Sequence, residues 1–144
     1  MIRIRDIDHL VLRVVDLEAM LKFYVGALGC TLERRRDDIG LVQLRAGRSL
    51  IDLVPVQGKL GSAGGRTPGA RGATSITSAC ASSPSTRQPS ARRSRRPASQ
   101  GALGSRYGAE GEGPSVYVLD PEGNTVELKG PPWPPGQGPA ERGH

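Results

Sequence analysis

Two hydrophobic periodicities follow one another near the N-terminus, and their order limits the folds that the chain can adopt. Within Asp8–Val14 the alternate residues Leu10, Leu12 and Val14 are apolar, which is typical of a β-strand. After Asp16, apolar residues recur at spacings of three and four up to Gly29, which predicts an amphipathic helix of about three turns with Asp16 as its N-cap. The face of the strand that is opposite Leu10, Leu12 and Val14 carries His9, Val11 and Arg13.

Three short strands are predicted after this helix. They span Thr31–Arg36, Leu41–Ala46 and Ser49–Pro55, and turn signals around Gly40 and Gly47 separate them. Residues 1–56 therefore form a module with the order β-α-β-β-β.

Residues 104–130 end in a predicted hairpin. Its strands are Ser115–Leu119 and Thr125–Lys129, joined by the turn Asp120–Asn124, where proline and glycine favour tight-turn geometry. The glycine-rich stretch 106–113 is predicted to be a loop. Residues 131–144 are rich in proline and glycine, so we predict a disordered tail there.

Residues 57–103 do not match a strand or helix pattern. Between Gly72 and Gly101 there is no aromatic residue, and Ile76 is the one large aliphatic residue, so the segment is predicted to be a disordered linker. The net charge of +6 arises here, because residues 53–109 hold nine of the 20 basic residues and none of the 14 acidic ones. A basic RNA-binding linker is the alternative, but the segment lacks aromatic residues for base stacking.

Three stretches resemble the vicinal oxygen chelate superfamily, which includes glyoxalase I, bleomycin-resistance proteins and extradiol dioxygenases. They are IDHLVLRV at 7–14, FYVGALG at 23–29 and DPEGNTVEL at 120–128. The resemblance implies an α+β fold in which paired β-α-β-β-β modules form a curled mixed sheet around a cleft. The second module is incomplete in this chain, because no strand resembling Asp8–Val14 opens it.

A changed reading frame is our interpretation of this gap. If each codon takes the third base of one residue and the first two bases of the next, residues 74–89 can encode a second Asp-His…Leu-Arg-Val pattern. We therefore interpret 57–103 as a linker followed by a frameshifted segment.

The resemblance also implies a site. Its metal ligands are His9, Asp52 and Glu127, and a further ligand position falls at Thr77, which reads as histidine in the shifted frame. Nitrogen and oxygen ligands suit Ni, Zn, Fe or Mn. Glu127 is also the predicted catalytic residue, and Arg13, Arg106 and Tyr117 are the predicted substrate-binding residues.

Other interpretations of these residues stay open. A lone histidine near the start of a strand is commonly structural, and Glu127 could form a surface salt bridge with Lys129 or Arg13. Asp52 is shorter than the glutamate usual at its position, which favours a metal-free ligand-binding protein.

The resemblance predicts a divalent-metal-dependent enzyme of lyase, isomerase or dioxygenase type that acts on a small substrate with vicinal oxygens. The alternatives are a metal-free binding protein and an inactive product of a frameshifted gene. The sequence has no apolar run of membrane length and no signal peptide. We therefore expect a cytoplasmic homodimer whose partner is a small molecule, not nucleic acid or a membrane.

Overall fold

The structure, a computed structural model, describes Arg3 and residues 6–64 and 104–138. The chain divides into two compact units: Met1–Thr74 with Asp120–Asn124, and Ser75–Leu119 with Thr125–His144. The predicted frameshifted segment beyond residue 64, including Thr77, and the end of the predicted tail lie outside the described residues.

The first unit has the predicted β-α-β-β-β order and contains a mixed four-stranded sheet with strand order β1-β4-β3-β2. Strand β1 is parallel to β4, and the other neighbours are antiparallel. The elements are β1 His9–Val14, α1 Leu17–Leu21, a π-helical segment Lys22–Ala27, β2 Thr31–Arg36, β3 Leu41–Ala46, β4 Ser49–Pro55 and α2 Lys59–Ala63.

The core of this unit follows from the alternation in the strands. Leu12 and Val14 of β1 are buried, as are Leu44 of β3 and Leu53 of β4. Met20 is also buried, so the helix contributes to the same core. Each such side chain contributes roughly 1.5–3 kcal/mol when it is fully buried.

The helix begins as predicted and then departs from regular α geometry. The Asp16 carboxylate accepts a hydrogen bond from the Ala19 amide at 2.9 Å, which is the predicted N-cap. Farther along, the Leu28 amide donates to the Phe23 carbonyl at 3.0 Å, five residues back, so the last turn is a π turn. Gly29 follows the helix with a φ of 77°, a conformation that favours glycine.

Helix α2 lies within residues 57–103, the predicted linker and frameshifted segment. The Arg13 guanidinium donates to the Gly61 carbonyl at 2.8 Å and to the Gly64 carbonyl at 2.9 Å. These long-range hydrogen bonds satisfy carbonyls at the end of a short helix whose glycines give it a low propensity. Tertiary contact therefore stabilises an element that the local sequence does not predict.

The second unit is an antiparallel sheet with strand order β5-β6-β7. Its strands are β5 Gly104–Gly108, β6 Gly111–Leu119 and β7 Thr125–Lys129. Strand β7 was predicted with these bounds, but the loop predicted over residues 106–113 is wrong, because β5 and β6 pair across it. Glycines in these strands suggested a loop, yet glycine also occurs in a strand where another chain segment approaches closely.

Residues 131–138, at the start of the predicted tail, contain a tryptophan that contacts the second sheet. The Trp133 amide donates to the Glu112 carbonyl at 2.8 Å, and the Trp133 indole N–H donates to the Ser105 hydroxyl at 3.0 Å. An aromatic anchor with two hydrogen bonds holds this segment despite its prolines.

Among the described residues, none of the helices could cross a lipid bilayer.

Candidate functional site

Two of the predicted metal ligands lie on one face of the first sheet. In the parallel pair β1 and β4, Leu50 is opposite His9 and Asp52 is opposite Val11. His9 and Asp52 are therefore diagonal neighbours whose side chains lie on the same face. Asp52 is buried, with 6% of its surface exposed.

Gln43 holds the Asp52 carboxylate. It lies opposite Asp52 in the antiparallel pair β3 and β4, and its amide nitrogen donates to Asp52 Oδ1 at 3.0 Å. Gln43 was not among the predicted site residues. The β3–β4 turn at Gly47 is the signal that could have identified it, because the turn sets the register of the hairpin.

The His9 imidazole is held by its neighbour in sequence. His9 Nδ1 lies 3.0 Å from Asp8 Oδ2. This hydrogen bond, together with the negative charge of Asp52, raises the pKa of His9 above its ordinary value. When Nδ1 carries the shared proton, the lone pair of Nε2 is left for another partner.

Arg13 is on the same strand as His9, but its guanidinium hydrogen-bonds to carbonyls of the α2 region, as described above. These bonds orient it as a structural link between β1 and α2. Substrate binding by Arg13 stays a prediction.

The remaining predicted residues lie together on one face of the second sheet. Tyr117 is opposite Glu127 in the pair β6 and β7, and Arg106 of β5 is opposite Gly113 of β6. The Arg106 guanidinium carbon lies 5.8 Å from the centre of the Tyr117 ring, a cation–π distance. The sheet therefore brings together the two predicted substrate-binding residues beside the predicted catalytic carboxylate.

Glu127 is buried and hydrogen-bonded to a residue that the sequence did not reveal. It is 7% exposed, and its Oε1 accepts a hydrogen bond from the Ser115 hydroxyl. Ser115 is 1% exposed and is two residues before Tyr117, so it shares the same face. The alternative of a salt bridge between Glu127 and Lys129 is not found among the described residues.

The turn at 120–124 belongs to the first unit, although the strands on both sides of it belong to the second. Asp120 Oδ1 accepts from the amides of Glu122 at 3.0 Å and Asn124 at 2.8 Å, which closes the turn. Its Oδ2 accepts from the Tyr24 hydroxyl at 3.2 Å. The aspartate of the DPEGN stretch and the tyrosine of the FY pair are thus in direct contact.

Glu122 of the same turn binds the start of the helix. Its Oε1 accepts from the amides of Val15 at 2.6 Å and Asp16 at 2.8 Å. A carboxylate at this position stabilises the positive end of the helix dipole. Two of the stretches on which the family resemblance depends therefore have a structural role.

Within residues 6–64 and 104–138, no three histidine, cysteine, aspartate or glutamate side chains gather closely enough to hold a metal ion. The predicted ligands are a pair in the first unit, His9 and Asp52, and a single carboxylate in the second, Glu127.

Comparison with solved structures confirms the α+β fold. A virulence protein from Salmonella typhimurium aligns with a TM-score of 0.61 at 23% identity over 90% of this chain and 99% of its own. A glyoxalase-related enzyme from Fulvimarina pelagi has a TM-score of 0.55 at 20% identity, over 91% and 92% of the two chains. A lactoylglutathione lyase from Agrobacterium tumefaciens has a TM-score of 0.54 at 18% identity, over 89% and 95%.

A search of curated protein sequences finds no significant match. The model of the Glyoxalase/Bleomycin resistance protein/Dioxygenase superfamily, in contrast, matches residues 6–128, which is most of the chain. These limits include the His9 strand, the helix with Phe23 and Tyr24, and the closing DPEGNTVEL stretch. The chain therefore belongs to the Glyoxalase/Bleomycin resistance protein/Dioxygenase superfamily.

Proposed function

We propose that the chain is a glyoxalase-like, divalent-metal-dependent enzyme that acts on a small substrate with adjacent oxygens. The observation that supports this best is the arrangement of His9 and Asp52 on one sheet face. Asp8 forms a hydrogen bond with His9 Nδ1, so His9 Nε2 can bind a metal. Gln43 donates a hydrogen bond to Asp52 Oδ1, so Asp52 Oδ2 can bind the same metal.

The hydrogen bonds of His9 and Asp52 support their assignment as two of the metal ligands. Metal-ligating histidines commonly share their second nitrogen with a carboxylate, and ligating carboxylates are hydrogen-bonded in turn. Glu127 has the same pattern, because Ser115 donates a hydrogen bond to Oε1, so Oε2 can bind another partner. His9, Asp52 and Glu127 would hold Ni, Zn, Fe or Mn, with ligation by Glu127 resting on the family resemblance.

A bound divalent metal would polarise the adjacent oxygens of a substrate. In this proposal Glu127 accepts a proton from the substrate at Oε2 and returns it, while the Ser115 hydroxyl keeps the carboxylate in place. Arg106, stacked on Tyr117, binds the polar end of the substrate.

Metal titration by calorimetry tests the proposal. We expect one site-specific binding event in the wild-type chain and at least a tenfold loss of affinity in His9→Ala and Asp52→Asn, because each variant removes a ligand. His144→Ala and Asp38→Asn are the matched controls and should retain binding. Equal affinity in wild type and His9→Ala would overturn the assignment.

A metal-free binding protein is the second candidate. Asp52 favours it, because this carboxylate is buried and hydrogen-bonded to a neutral amide. It is also shorter than the glutamate that the family resemblance implies at this position. In that case ligand binding persists in the presence of a chelator, and calorimetry detects no heat of metal binding. A third candidate is an inactive chain with an altered middle segment, for which neither experiment gives a signal.

We also propose that the protein is a cytoplasmic homodimer. Sedimentation equilibrium measures the assembly directly, and a monomer at micromolar concentration would contradict this part of the proposal.

A further inference from the structure

Lys129 lies flat on the face of the second sheet that carries Glu127. It is 7% exposed. A Cβ atom added at Gly108 would lie 2.8 Å from Lys129 Cε and 2.9 Å from its Cδ. A Cβ atom added at Gly113 would lie 3.1 Å from Lys129 Nζ. The lysine therefore occupies the space that two glycines leave open across β6 and β5.

The ammonium group of Lys129 has no hydrogen-bond acceptor and no ion-pair partner among the described residues. Glu127 is the carboxylate nearest to it in sequence on this face, but Glu127 is hydrogen-bonded to Ser115. The stem of Lys129 is buried, but its Nζ atom stays accessible to solvent, so an anion from solution can reach it. A bound anion would form a charge-assisted hydrogen bond there. The sheet thus holds a cation for which the described part of the chain supplies no anion.

Arg106 adds a second cation to the same face. It is opposite Gly113, the residue over which the Lys129 ammonium lies. Arg106 is exposed, and its guanidinium donates to the carbonyl of its neighbour Ser105 at 2.8 Å. Arginine forms strong, charge-assisted hydrogen bonds with carboxylates and phosphates.

We propose that Lys129, together with Arg106, forms a binding subsite for an anionic group of the ligand, a carboxylate or a phosphate. Gly108 and Gly113 keep the lysine in place against the sheet. The inference deepens the proposed function by naming the substrate class, and it rests on that function in taking this face as the ligand-binding one.

The test is calorimetric titration of the full-length chain in the presence of a chelator, with inorganic phosphate and acetate as separate probes. Ionic strength is held constant with chloride. Wild type binds at least one of the two probes, and Lys129→Met weakens that binding by roughly tenfold or more, since it removes one charge-assisted contact. Lys59→Met, which removes an exposed lysine of α2, binds as wild type does.

Gly108→Ala provides a second measure that keeps the charge. The added methyl group displaces the lysine, so binding weakens, whereas Gly26→Ala, which has open space around the new atom, has no effect. If Lys129→Met does not fold, Gly108→Ala decides the outcome.

Preference for phosphate over acetate identifies a phosphate-bearing ligand, and the reverse preference identifies a carboxylate. The proposal is overturned if Lys129→Met binds the probes as tightly as wild type does. It is also overturned if phosphate and acetate give wild type no more binding heat than chloride gives. Because the chelator removes metal, failure of the metal assignment leaves this result unchanged.

Discussion

Single residues of the site are positioned by neighbours that lie across a strand pair. Gln43 binds Asp52 and Ser115 binds Glu127. His9 and Glu127 were predicted from the sequence because they belong to stretches that resemble a family, and Asp52 was predicted because it falls at a ligand position that the resemblance implies. Gln43 and Ser115 could not, because their roles depend on strand register and hydrogen bonding.

The pKa of His9 gives a prediction at this scale. The hydrogen bond to Asp8, followed by the charge of Asp52, raises that pKa above 6.5. The protonated imidazole is favoured in the folded chain, so its contribution to stability is complete below pH 6.5 and is lost as the pH rises through the raised pKa.

NMR titration of the metal-free protein measures this pKa. Asp8→Asn should lower it toward the ordinary value, whereas Asp38→Asn, which removes an exposed carboxylate paired with Arg36, should leave it unchanged. A midpoint at or below 6.5 in the wild-type chain would contradict the prediction.

At the scale of secondary structure, predictions succeeded where one periodicity was sufficient. Strands β2, β3, β4 and β7 have the predicted bounds. The sequence did not reveal β5 or α2, because both contain glycines that local propensity assigns to loops. In each case a distant side chain explains the element: Lys129 lies over Gly108 of β5, and Arg13 binds carbonyls of the α2 region.

The contact between Gly61 and β4 predicts a large effect from a small change. A Cβ atom at Gly61 would lie 2.0 Å from the Pro55 carbonyl oxygen, which is backbone and cannot move aside. Gly61→Ala should therefore lower the free energy of unfolding by roughly 1–3 kcal/mol. Denaturant unfolding measures the change, with Gly26→Ala as the control, and equal stability of the two variants would show that α2 can shift away from β4 without cost.

Glu122 gives a second prediction for an element, the start of helix α1. Glu122→Ala removes the acceptor of two backbone amides and should cost about 1–2 kcal/mol of unfolding free energy. Glu122→Gln keeps an oxygen acceptor and should lose less. Glu110→Ala, in an exposed turn, is the control, and a loss as large as that of Glu122→Ala would refute the role of the cap.

For the whole molecule, the main prediction is that part of residues 57–103 is encoded in a changed reading frame. The family model extends from residue 6 to 128 and so spans the segment for which we predict a changed frame. Sequencing of the encoding DNA across Gly69–Ser105 should reveal inserted or deleted bases, and the restored frame should encode a second strand that resembles Asp8–Val14. One uninterrupted frame in both genomic DNA and transcript would show that this segment is native.

The 120–124 turn has a consequence for how the chain folds. The Tyr24–Asp120 hydrogen bond joins residues 96 positions apart, and the Val15–Glu122 bond joins residues 107 positions apart. The entropy lost on closing such a loop grows only with the logarithm of its length, about 0.6 kcal/mol for each doubling, and depends little on which amino acids fill it. A change of frame that preserves length would therefore leave this closure almost unaffected. Contacts between such distant residues slow folding, so the N-terminus of the helix should receive its Glu122 cap late, after the local strand pairs of the first unit have formed.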